Sequence, residues 1–599
     1  MNTAIFFALI LGAAGAADDP HALTVQPTAF YVAPDGSDHN PGTQEAPFAT
    51  LHRARDAVRH WVYQGLEAGI MVYIRGGMYW LDAPVAFGPQ DSGTDAHRIA
   101  YRAYEDETPV FSGGRRITGW EKGADGRWTV TLPDVASGTW YFRQLFRGDA
   151  RLPRGRFPNG DALLRVTTVN PEVTEITLGD APPVADLAGR DAELVVYQNW
   201  SITRARIVSS AGPTLRTSHP AGWIGHGDAT TTSPGKPCYL ENALEFVDAP
   251  GEWHLDRRTG VLTYYAAEGE DPNATDMIAP RLERLLIVRG APDAPVRNLY
   301  FAGLTFAHAE WPLPEFGYVG IQAGHHGTTM DAPTFVLPGA LEFSHATGCG
   351  LKRCCVAHVG ACGVVFGAGC RDNIVAHCIL EDIGGNGVMV GWRGDELPRR
   401  KGLLGDYSLS ADWTDPRFVP RNNAVTDCTL RRCGAVNHGC VGIFDAFSDG
   451  TRIAHNLVTD MPYTGISIGF RWDESETSQR NCLVEYNKVH DVMKMLADGG
   501  AIYTLGFQPG TVLRGNLLYD VHRSAFAHGG APNNGIFFDQ GSKGYLVEQN
   551  IIYGTSGESV RYNQTGPDNL NLRENVFGVT PENRAFPHEA ARKAGPRDE

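Results

Sequence analysis

Residues 378–390 read CILEDIGGNGVMV and residues 456–468 read NLVTDMPYTGISI, and the two stretches share one pattern. Each starts with Cys or Asn, continues through apolar and polar positions, and ends in Gly followed by an alternating apolar strand. The pattern recurs at steps of 24, 50, 28, 31, 29 and 34 residues, starting at Cys354, Cys378, Cys428, Asn456, Asn487, Asn516 and Asn550. Repeats of this length that carry short strands predict a right-handed parallel β-helix, in which each repeat forms one coil.

The residue that starts each repeat is predicted to have a structural role. Stacked Asn side chains would bond the backbone of neighbouring coils, and stacked Cys side chains would fill volume inside the helix. Ten of the 11 Cys residues lie between Cys349 and Cys482, without metal-type Cys-x-x-Cys pairs. We therefore interpret them as small buried core residues, and we predict no metal site and no cofactor.

The composition limits the class of protein. Hydrophobic residues make up 42% of the 599 residues, which is enough for a folded chain. The 70 Gly and 37 Pro residues indicate many short strands joined by turns, so the fold class is all-β. The formal net charge of -16 disfavours nucleic acid and anionic membranes as partners, because both would be repelled. A polysaccharide or oligosaccharide substrate is compatible with this charge.

The N-terminal residues have the pattern of a secretory signal. An apolar run from Ala4 to Gly15 leads into small residues and then Asp18-Asp19, although no Lys or Arg precedes it. No later stretch has the about 18 apolar residues of a membrane-spanning helix. The sequence therefore predicts a signal peptide over residues 1–17, export to the periplasm or the medium, and no membrane association after cleavage.

The repeat is absent from some regions, and this divides the rest of the chain. A first strand precedes an amphipathic helix, from Leu51 to Trp61 with Thr50 as its cap, which we expect to close the open end of the coil. The predicted regions are an N-terminal cap with first rungs at 27–112, an inserted β-domain of sandwich type at 113–285, the β-helix at 286–579, and a polar, mobile tail at 580–599.

Extra loop residues gather at one corner of the later coils. The starting residue lies nine positions before the strand-leading Gly in regular coils, but 14 before Gly442, 13 before Gly500 and 19 before Gly535. Loops raised on a rigid scaffold are common places for functional sites. Asp498 and Asp539 lie beside the last two of these loops, next to apolar residues that would raise the pKa of a carboxyl group.

Two carboxyl groups in such positions are typical of glycosidic bond hydrolysis. That reaction usually needs one protonated group to assist the leaving oxygen and one ionised group that acts as nucleophile or base. The alternative is that both Asp residues stabilise turns beside Gly. Aligning Gly500 with Gly535 pairs Asp539 with Thr504, six residues beyond Asp498, so the two would meet only if the loop before Gly500 folds back over the strand.

Aromatic and polar residues on the same coils are candidates for binding sugar. Aromatic rings stack on sugar faces, and polar side chains bond hydroxyl groups. The adjacent His325 and His326 are open to two interpretations, as ligand-binding or as solvated loop residues. Each candidate has the equal alternative of ordinary half-buried surface. The predicted substrate-binding residues are His438, Trp392, Arg471, Trp472, Tyr503, His528 and Gln540.

Six stretches of the chain carry a further signal. They are FYVAPDGSDHNPGTQEAPFATLHRARDAV (30–58), VYIRGGMYWL (72–81), LFRGDARLPRGRFPN (145–159), GEWHLDRRTGVLTYY (251–265), DGGAIYTLG (498–506) and GIFFDQGS (535–542). In this order they resemble glycoside hydrolase family 141 across nearly the whole mature chain. The resemblance implies a glycosidase acting on a plant or algal polysaccharide, α-L-fucosidase-like or xylanase-like. It also implies that Asp498 and Asp539 are the catalytic pair.

Two other functions are compatible with the sequence. A polysaccharide lyase can use the same fold, because fold does not determine function. A lyase must neutralise a uronate and remove a proton, usually with Lys, Arg or Ca²⁺, and no Lys occurs between Lys401 and Lys488. A non-catalytic glycan-binding β-helix protein would need neither Asp residue.

Overall fold

The computed structural model describes residues 27–223, 229–327, 334–391, 415–525, 527 and 529–598. Three long parallel sheets run along the molecule, and each regular coil contributes one strand to each sheet. Within a sheet, a strand pairs in parallel with the strand of the preceding coil, as Gly500–Thr504 does with Ile466–Ile468. The predicted fold, an all-β protein built on a parallel β-helix, is confirmed.

We name the three sheets A, B and C in the order in which each coil reaches them. Within the described residues, sheet A consists of Ala29–Val32, Ile70–Ile74, Ile99–Ala103, Leu299–Ala302, Gly350–Lys352, Ile374–Ala376, Ala424–Thr426, Arg452–Ala454, Leu483–Glu485, Val512–Arg514, Leu546–Glu548 and Asn571–Arg573. Sheet B consists of Gly77–Trp80, Pro109–Ser112, Thr305–Ala309, Cys355–Val359, Ile379–Ile383, Thr429–Cys433, Leu457–Thr459, Lys488–Val492, Leu517–Val521, Ile551–Ile552 and Val576–Phe577. Sheet C consists of Val85–Phe87, Leu286–Arg289, Gly339–Ser344, Cys362–Phe366, Val388–Val390, Ile443–Asp445, Ile466–Ile468, Gly500–Thr504, Asn534–Phe538 and Val560–Tyr562.

Side chains alternate along each strand, and this alternation separates the core from the outer surface. In the strand Gly500–Thr504, Ile502 belongs to the main core, whereas Tyr503 packs in a small outer cluster with Leu505 and Phe537. Tyr503 pairs with Phe537 of the next coil, and Phe537 pairs with Arg561 of the coil after that. This outer column of sheet C is the floor on which the candidate site is built.

The ladder predicted from the sequence lies at the turn between sheets A and B. The side-chain amide of each ladder Asn donates to the side-chain oxygen of the next, at 2.9 or 3.0 Å, through Asn456, Asn487, Asn516, Asn550 and Asn575. Towards the N-terminus, Cys428 donates its backbone N–H to Asn456 Oδ1 at 3.0 Å. Among the 11 cysteines, all are free thiols and all but Cys355 are buried.

Replacing Asn516 by Ala is expected to destabilise the protein strongly. Its amide donates to Val484 O at 2.8 Å and to Asn550 Oδ1 at 2.9 Å, and its Oδ1 accepts from Asn487. A buried polar group left without a partner costs about 1–3 kcal/mol, and the substitution removes the partner of several groups. We expect the free energy of unfolding in urea to fall by about 3 kcal/mol or more. Asn575→Ala, at the partly buried end of the ladder, is the control, and an equal loss there would contradict this account.

A helix covers the N-terminal end of the core. It spans Leu51–Gln64, and its Thr50 cap accepts a hydrogen bond from the backbone N–H of Arg53 at 3.1 Å. Leu51, Ala54, Ala57 and Val58 are buried, and Trp61 packs against the main core. The capping helix predicted from the apolar spacing is therefore present.

The chain leaves the β-helix after Pro109–Ser112 and returns to it at Leu286–Arg289. The residues between these strands form antiparallel sheets with two hydrophobic cores of their own. Among the residues described in this region, the short helical segments Pro133–Ala136 and Leu244–Phe246 lie between the strands. The strands are Gly114–Arg116, Glu121–Lys122, Trp128–Thr131, Leu145–Arg147, Ala150–Leu152, Arg156–Phe157, Leu164–Val169, Glu175–Leu178, Glu193–Tyr197, Ile202–Ala211, Thr214–Thr217, Pro237–Glu241, Trp253–Leu255, Val261–Tyr264 and Met277–Pro280.

A second excursion interrupts the β-helix where the sequence predicts a continuous repeat. Tyr318–Gln322, His325–Gly327 and Phe335–Val336 extend the largest sheet of the inserted domain, through pairing with Ile202–Ala211. His325 consequently lies in a buried strand and stacks on Phe470 with ring centroids 4.0 Å apart. Burial lowers the pKa of His325 to about 4, so its imidazole is neutral at pH 7, and the interpretation as a solvated loop residue was wrong.

The residues after the last strand of sheet B fold back onto the helix, which differs from the expected free tail. A short helix, His588–Ala591, follows Phe586, which packs against Leu517 and Ile551. Arg597 then pairs with both carboxylate oxygens of Asp427 at 2.8 Å. The buried ring of Phe586 and the bidentate ion pair between Arg597 and Asp427 hold this polar segment in place. The amino-acid composition of the segment predicts neither contact.

No helix of the described residues is long and apolar enough to cross a membrane.

Candidate active site

The register of sheet C directs Asp539 towards the outside of the helix. Gly500 pairs with Asn534, so Phe538 pairs with Thr504, and Asp539 follows one position later. The sequence alignment of Gly500 with Gly535 was therefore wrong by one residue. Because side chains alternate along a strand, a shift of one residue decides on which face of the sheet the Asp539 side chain lies. Thr504 points inward to Ser542, whereas Asp539 points outward beside Tyr503.

The Asp539 carboxylate is held by two neighbours on the outer face of sheet C. The Tyr503 hydroxyl donates a hydrogen bond to Asp539 Oδ2. Asn563 Nδ2 donates to Asp539 Oδ1 at 2.6 Å. The neighbours come from the coils before and after Asp539, so the carboxylate is fixed from both sides along the helix axis. Both contacts stabilise negative charge and orient the two oxygens.

Asp498 lies in the loop that connects sheet B to Gly500–Thr504, with a left-handed backbone φ of 62° that Asp tolerates. Its backbone N–H donates to Ala531 O at 3.1 Å, and its carbonyl accepts from the Tyr463 hydroxyl at 3.1 Å. Burial, reinforced by the negative charge of Asp539, raises the pKa of Asp498 to about 6. The negative charge of Asp539 therefore acts on the Asp498 carboxyl group.

The inserted domain reaches the loop that carries Asp498. Ala497 donates its backbone N–H to Asn199 O at 2.8 Å, and the buried Lys236 donates from Nζ to Asn199 Oδ1 at 2.6 Å. Gly530 packs so closely here that an added Cβ would lie 3.3 Å from Asp498 Cβ and 3.4 Å from Asn199 Cβ. Asn199 and Asp498 therefore face the same small residue and form one wall.

Buried charges fix the inserted domain against the β-helix. Arg204 donates to Glu241 Oε1 at 2.6 Å and also to Val436 O of the helix at 2.9 Å. Arg151 donates to Asp382 Oδ1 of the helix at 2.9 Å. If one partner of a buried ion pair is removed, the other is left as an uncompensated buried charge, which costs about 3–5 kcal/mol of stability. The wall next to Asp498 therefore has a rigid support.

Aromatic side chains form the floor near Asp539. Tyr503, Leu505 and Phe537 pack together on the outer face, and Trp472 lies partly buried against them. Trp472 also meets Phe470 edge to face, with ring centroids 4.7 Å apart. The Arg561 guanidinium lies over the Phe537 ring, 5.5 Å from its centroid. Apolar and aromatic side chains beside a few polar groups are the usual lining of a small-molecule site.

The structure brings some of the predicted substrate-binding residues to this floor and places others elsewhere. Tyr503 and Trp472 belong to it, and Gln540 follows Asp539 directly, with its carbonyl accepting from Gly506 N–H at 3.1 Å. The guanidinium of Arg471 pairs with Asp473 at 2.6 Å. His438 stacks on Tyr197 of the inserted domain, with ring centroids 5.4 Å apart. Trp392 and His528 lie outside the described residues.

Sequence reasoning missed several residues next to the two carboxyl groups. Asn563 and Arg561 follow from the register of sheet C, so a correct alignment of the coils would have found them. Asn199 carries no such signal, because it lies in a domain without repeats. Within the described part of the chain, no group of His, Cys, Asp and Glu could hold a metal ion.

Comparison with known proteins gives matches at three levels. Residues 126–267 match the family model described as the GH141 insertion domain. A solved structure titled "Glycoside hydrolase" superposes with a TM-score of 0.84 at 27% identity, covering 95% of this chain and 99% of that one. An uncharacterised Bacillus subtilis protein, YwoF, is 42% identical over 84 residues, and pectate lyase PEL9 of Emericella nidulans is 34% identical over 84 residues. These stretches are 15% and 18% of the two curated relatives, so the chain spans less than a fifth of their length.

The β-helix, its inserted domain and the full-length structural match define a protein of the glycoside hydrolase class. The chain is similar to glycoside hydrolase family 141, whose insertion-domain model matches residues 126–267.

Proposed function

We propose that the protein is an exported glycosidase that cleaves a plant or algal polysaccharide, α-L-fucosidase-like or xylanase-like, with Asp498 and Asp539 as its catalytic pair. The observation that carries the proposal is the contrast between the two carboxyl groups. Burial and the charge of Asp539 raise the pKa of Asp498 to about 6, whereas Asp539 accepts two hydrogen bonds that stabilise an anion. Two carboxyl groups in different environments are the requirement for acid and base roles.

In the proposed reaction, protonated Asp498 donates its proton to the glycosidic oxygen as the bond to the anomeric carbon breaks. Asp539 then has one of two tasks. It attacks the anomeric carbon, which gives a glycosyl ester that water later hydrolyses, or it removes a proton from the attacking water. Tyr503 and Asn563 keep the same orientation of Asp539 in both cases. The separation of the carboxyl groups distinguishes the two routes.

The floor and the wall give this site its proposed sugar selectivity. Trp472, which is only partly buried, offers an apolar ring to the C–H face of a sugar. The buried Tyr503 and Phe537 support it, and Arg561 offers N–H donors beside it. Export fits the proposal, because polysaccharides are met outside the cell. The predicted signal peptide itself lies outside the described residues.

The activity should fall as the pH rises through about 6, because Asp498 acts in its protonated form. Above the pKa, kcat/KM is expected to decrease about tenfold per pH unit. The positive charge of Arg561 lowers the pKa of Asp498, so Arg561→Gln should move this limb to higher pH. Initial rates on an aryl glycoside between pH 4 and pH 9 give the pH profiles of the wild-type and Arg561→Gln proteins. If the decrease in activity moves to lower pH in Arg561→Gln, the assignment of Asp498 as the acid is contradicted.

Asn199→Ala should lower the kcat of the folded protein, and it should also reduce stability because the buried Lys236 loses an acceptor. The substitution removes the hydrogen bond from Lys236 that fixes Asn199 beside the Asp498 loop. A displacement of a catalytic group by about 1 Å can cost about 10²-fold in rate, so a loss of kcat of about tenfold or more is expected. The decrease in activity above about pH 6 should shift to a different pH as well. Asn159→Ala, an exposed Asn of the same domain, is the matched control. An unchanged pH profile in Asn199→Ala would remove this residue from the site.

Product analysis tests the proposed function directly. Aryl α-L-fucoside and xylan are incubated with the wild-type protein and with both Asp→Asn variants, and reducing sugar is measured. On a polysaccharide, a hydrolase releases reducing ends without new absorbance in the ultraviolet, whereas a lyase produces an unsaturated sugar that absorbs there. An absorbing product formed from a polysaccharide would overturn the hydrolase proposal. If Asp498→Asn and Asp539→Asn leave turnover of every substrate unchanged, the assignment of the catalytic pair is wrong.

A further inference from the structure

Trp80 is an exposed aromatic residue that the proposed reaction does not use. It ends the first strand of sheet B, Gly77–Trp80, and 43% of its surface is exposed. Of the tryptophans that the structure describes, no other reaches this exposure. Contact between an apolar indole ring and water is unfavourable, so a ligand that covers the ring gains free energy. Tryptophan is also a frequent anchor of binding sites.

Two cavities lie on either side of Trp80. One of about 440 Å³ is bounded by Trp80, Asp82, the strand Gly114–Arg116 and Arg281. The other, of about 370 Å³, lies between Trp80 and the start of the capping helix at Thr50–His52. Both volumes fall within the range of about 300–1,000 Å³ that is typical of small-molecule sites. The indole thus borders two concave surfaces.

The polar groups around the first cavity are available to a ligand. Arg281 pairs with Asp82 at 3.6 Å, and both side chains are exposed. Arg116 pairs with Asp276 at the same surface, again with both partners half exposed. Exposed pairs of this kind contribute only about 0–1 kcal/mol, so sugar hydroxyls can replace one partner at small cost. Arg115, the third arginine of this cavity, pairs with Asp134 at 2.6 Å. Each arginine therefore has a carboxylate partner, which favours a neutral glycan over a polyanion.

We propose that Trp80 and its two cavities form a second glycan-binding site, which holds neutral stretches of the polysaccharide substrate away from the catalytic pair. The proposal rests on the proposed function for the identity of its ligand. Gly500–Thr504 lies seven strands beyond Val85–Phe87, the sheet C strand of the Trp80 coil. At about 4.8 Å per strand, Asp498 and Trp80 are about 34 Å apart along the helix axis.

The inserted domain leaves the β-helix between these two places. It starts after Ser112, one coil beyond Trp80, and its Asn199 reaches the catalytic loop. A short sugar bound at Trp80 therefore cannot contact Asp498. The second site anchors a long chain, or a particle that carries many chains, and raises the local concentration of cleavable bonds. Its loss should affect polymers and leave small substrates unaffected.

Affinity electrophoresis tests the second site on a catalytically inactive background. Asp498→Asn protein is run through gels that contain soluble xylan or fucosylated xyloglucan, and compared with the same protein carrying Trp80→Ala. We expect retardation in at least one gel and a loss of about tenfold or more in affinity with Trp80→Ala. Trp80→Leu keeps apolar volume without an aromatic face and should lose affinity equally, which also covers the case in which Trp80→Ala fails to fold. Tyr63→Ala, which removes an aromatic residue that is 89% exposed on the capping helix, is the matched control and should be retarded normally.

The outcomes separate this proposal from the proposed function. Retardation lost with both Trp80 variants supports the second site, even if no glycosidase activity is found. Retardation unchanged by both variants, or absent for every polysaccharide, overturns it, even if the wild-type protein hydrolyses aryl glycosides. Trp80→Leu in the active protein should keep wild-type kcat/KM on the aryl glycoside. A loss on that small substrate would show that Trp80 acts through the fold, and it would also overturn the proposal.

Discussion

Asp498→Asn should reduce the hydrolysis of a natural polysaccharide about 10³-fold, because a general acid contributes about 10²–10⁴-fold to such reactions. The loss should depend on the leaving group. A dinitrophenyl glycoside departs without protonation, so its cleavage is expected to fall less than about tenfold. Measuring kcat/KM for a series of aryl glycosides with leaving groups of increasing basicity checks this. The variant should also lose the decrease in activity above pH 6 that follows from the raised pKa of Asp498.

The control for this experiment is another Asp in the same backbone conformation. Asp520 has a φ of 48°, close to the 62° of Asp498, and lies exposed on the following coil. Asn tolerates the left-handed region as well as Asp does, so neither substitution strains the backbone. Asp520→Asn should keep full activity. A loss at Asp498 that is equal for good and poor leaving groups would argue against an acid role.

Asp539→Asn should lower activity on every substrate, with a loss of at least about 10³-fold that does not depend on the leaving group. The amide keeps the shape of the carboxylate but provides neither a nucleophile nor a base. Tyr503→Phe removes only the hydrogen bond to Asp539 and should cost about 10- to 100-fold. If Tyr503→Phe loses as much activity as Asp539→Asn, Tyr503 rather than Asp539 would be the reacting group. Proton NMR of the first product formed by the wild-type protein decides whether Asp539 attacks carbon or activates water.

The repeat pattern was sufficient to predict the β-helix, because Asn and Cys at equivalent turn positions are required by the ladder that they form. Asn456, Asn487, Asn516 and Asn550 appear in the sequence at the spacing of the coils and stack directly in the structure. The position of Asp539 on the outer face required the register of sheet C, and the alignment on Gly535 was one residue off. A Gly at the start of a strand does not fix register, since the loop before it varies in length.

The wall of the site could not be predicted in the same way. Asn199 reaches Ala497 across about 300 residues of sequence, through a domain whose strands do not repeat. The pKa of Asp498 depends on its burial in the folded loop and on the charge of Asp539, and neither is a local property of the sequence. The apolar residues next to Asp498 in the sequence indicated that its pKa would be raised. They did not indicate that the charge of Asp539 would contribute to this shift.

The returning C-terminal segment changes how the β-helix can come apart. In a solenoid whose coils touch only their neighbours, the last coil can detach first, and unfolding then proceeds coil by coil from the end. Here Gly595 donates its backbone N–H to Tyr486 O at 2.8 Å, and Arg597 pairs with Asp427, five strands before the end of sheet A. Detaching the last coil therefore also requires breaking contacts in the middle of the stack. The coils that carry Asp498 and Asp539 lie inside this closed loop, so they are expected to unfold together as one cooperative block.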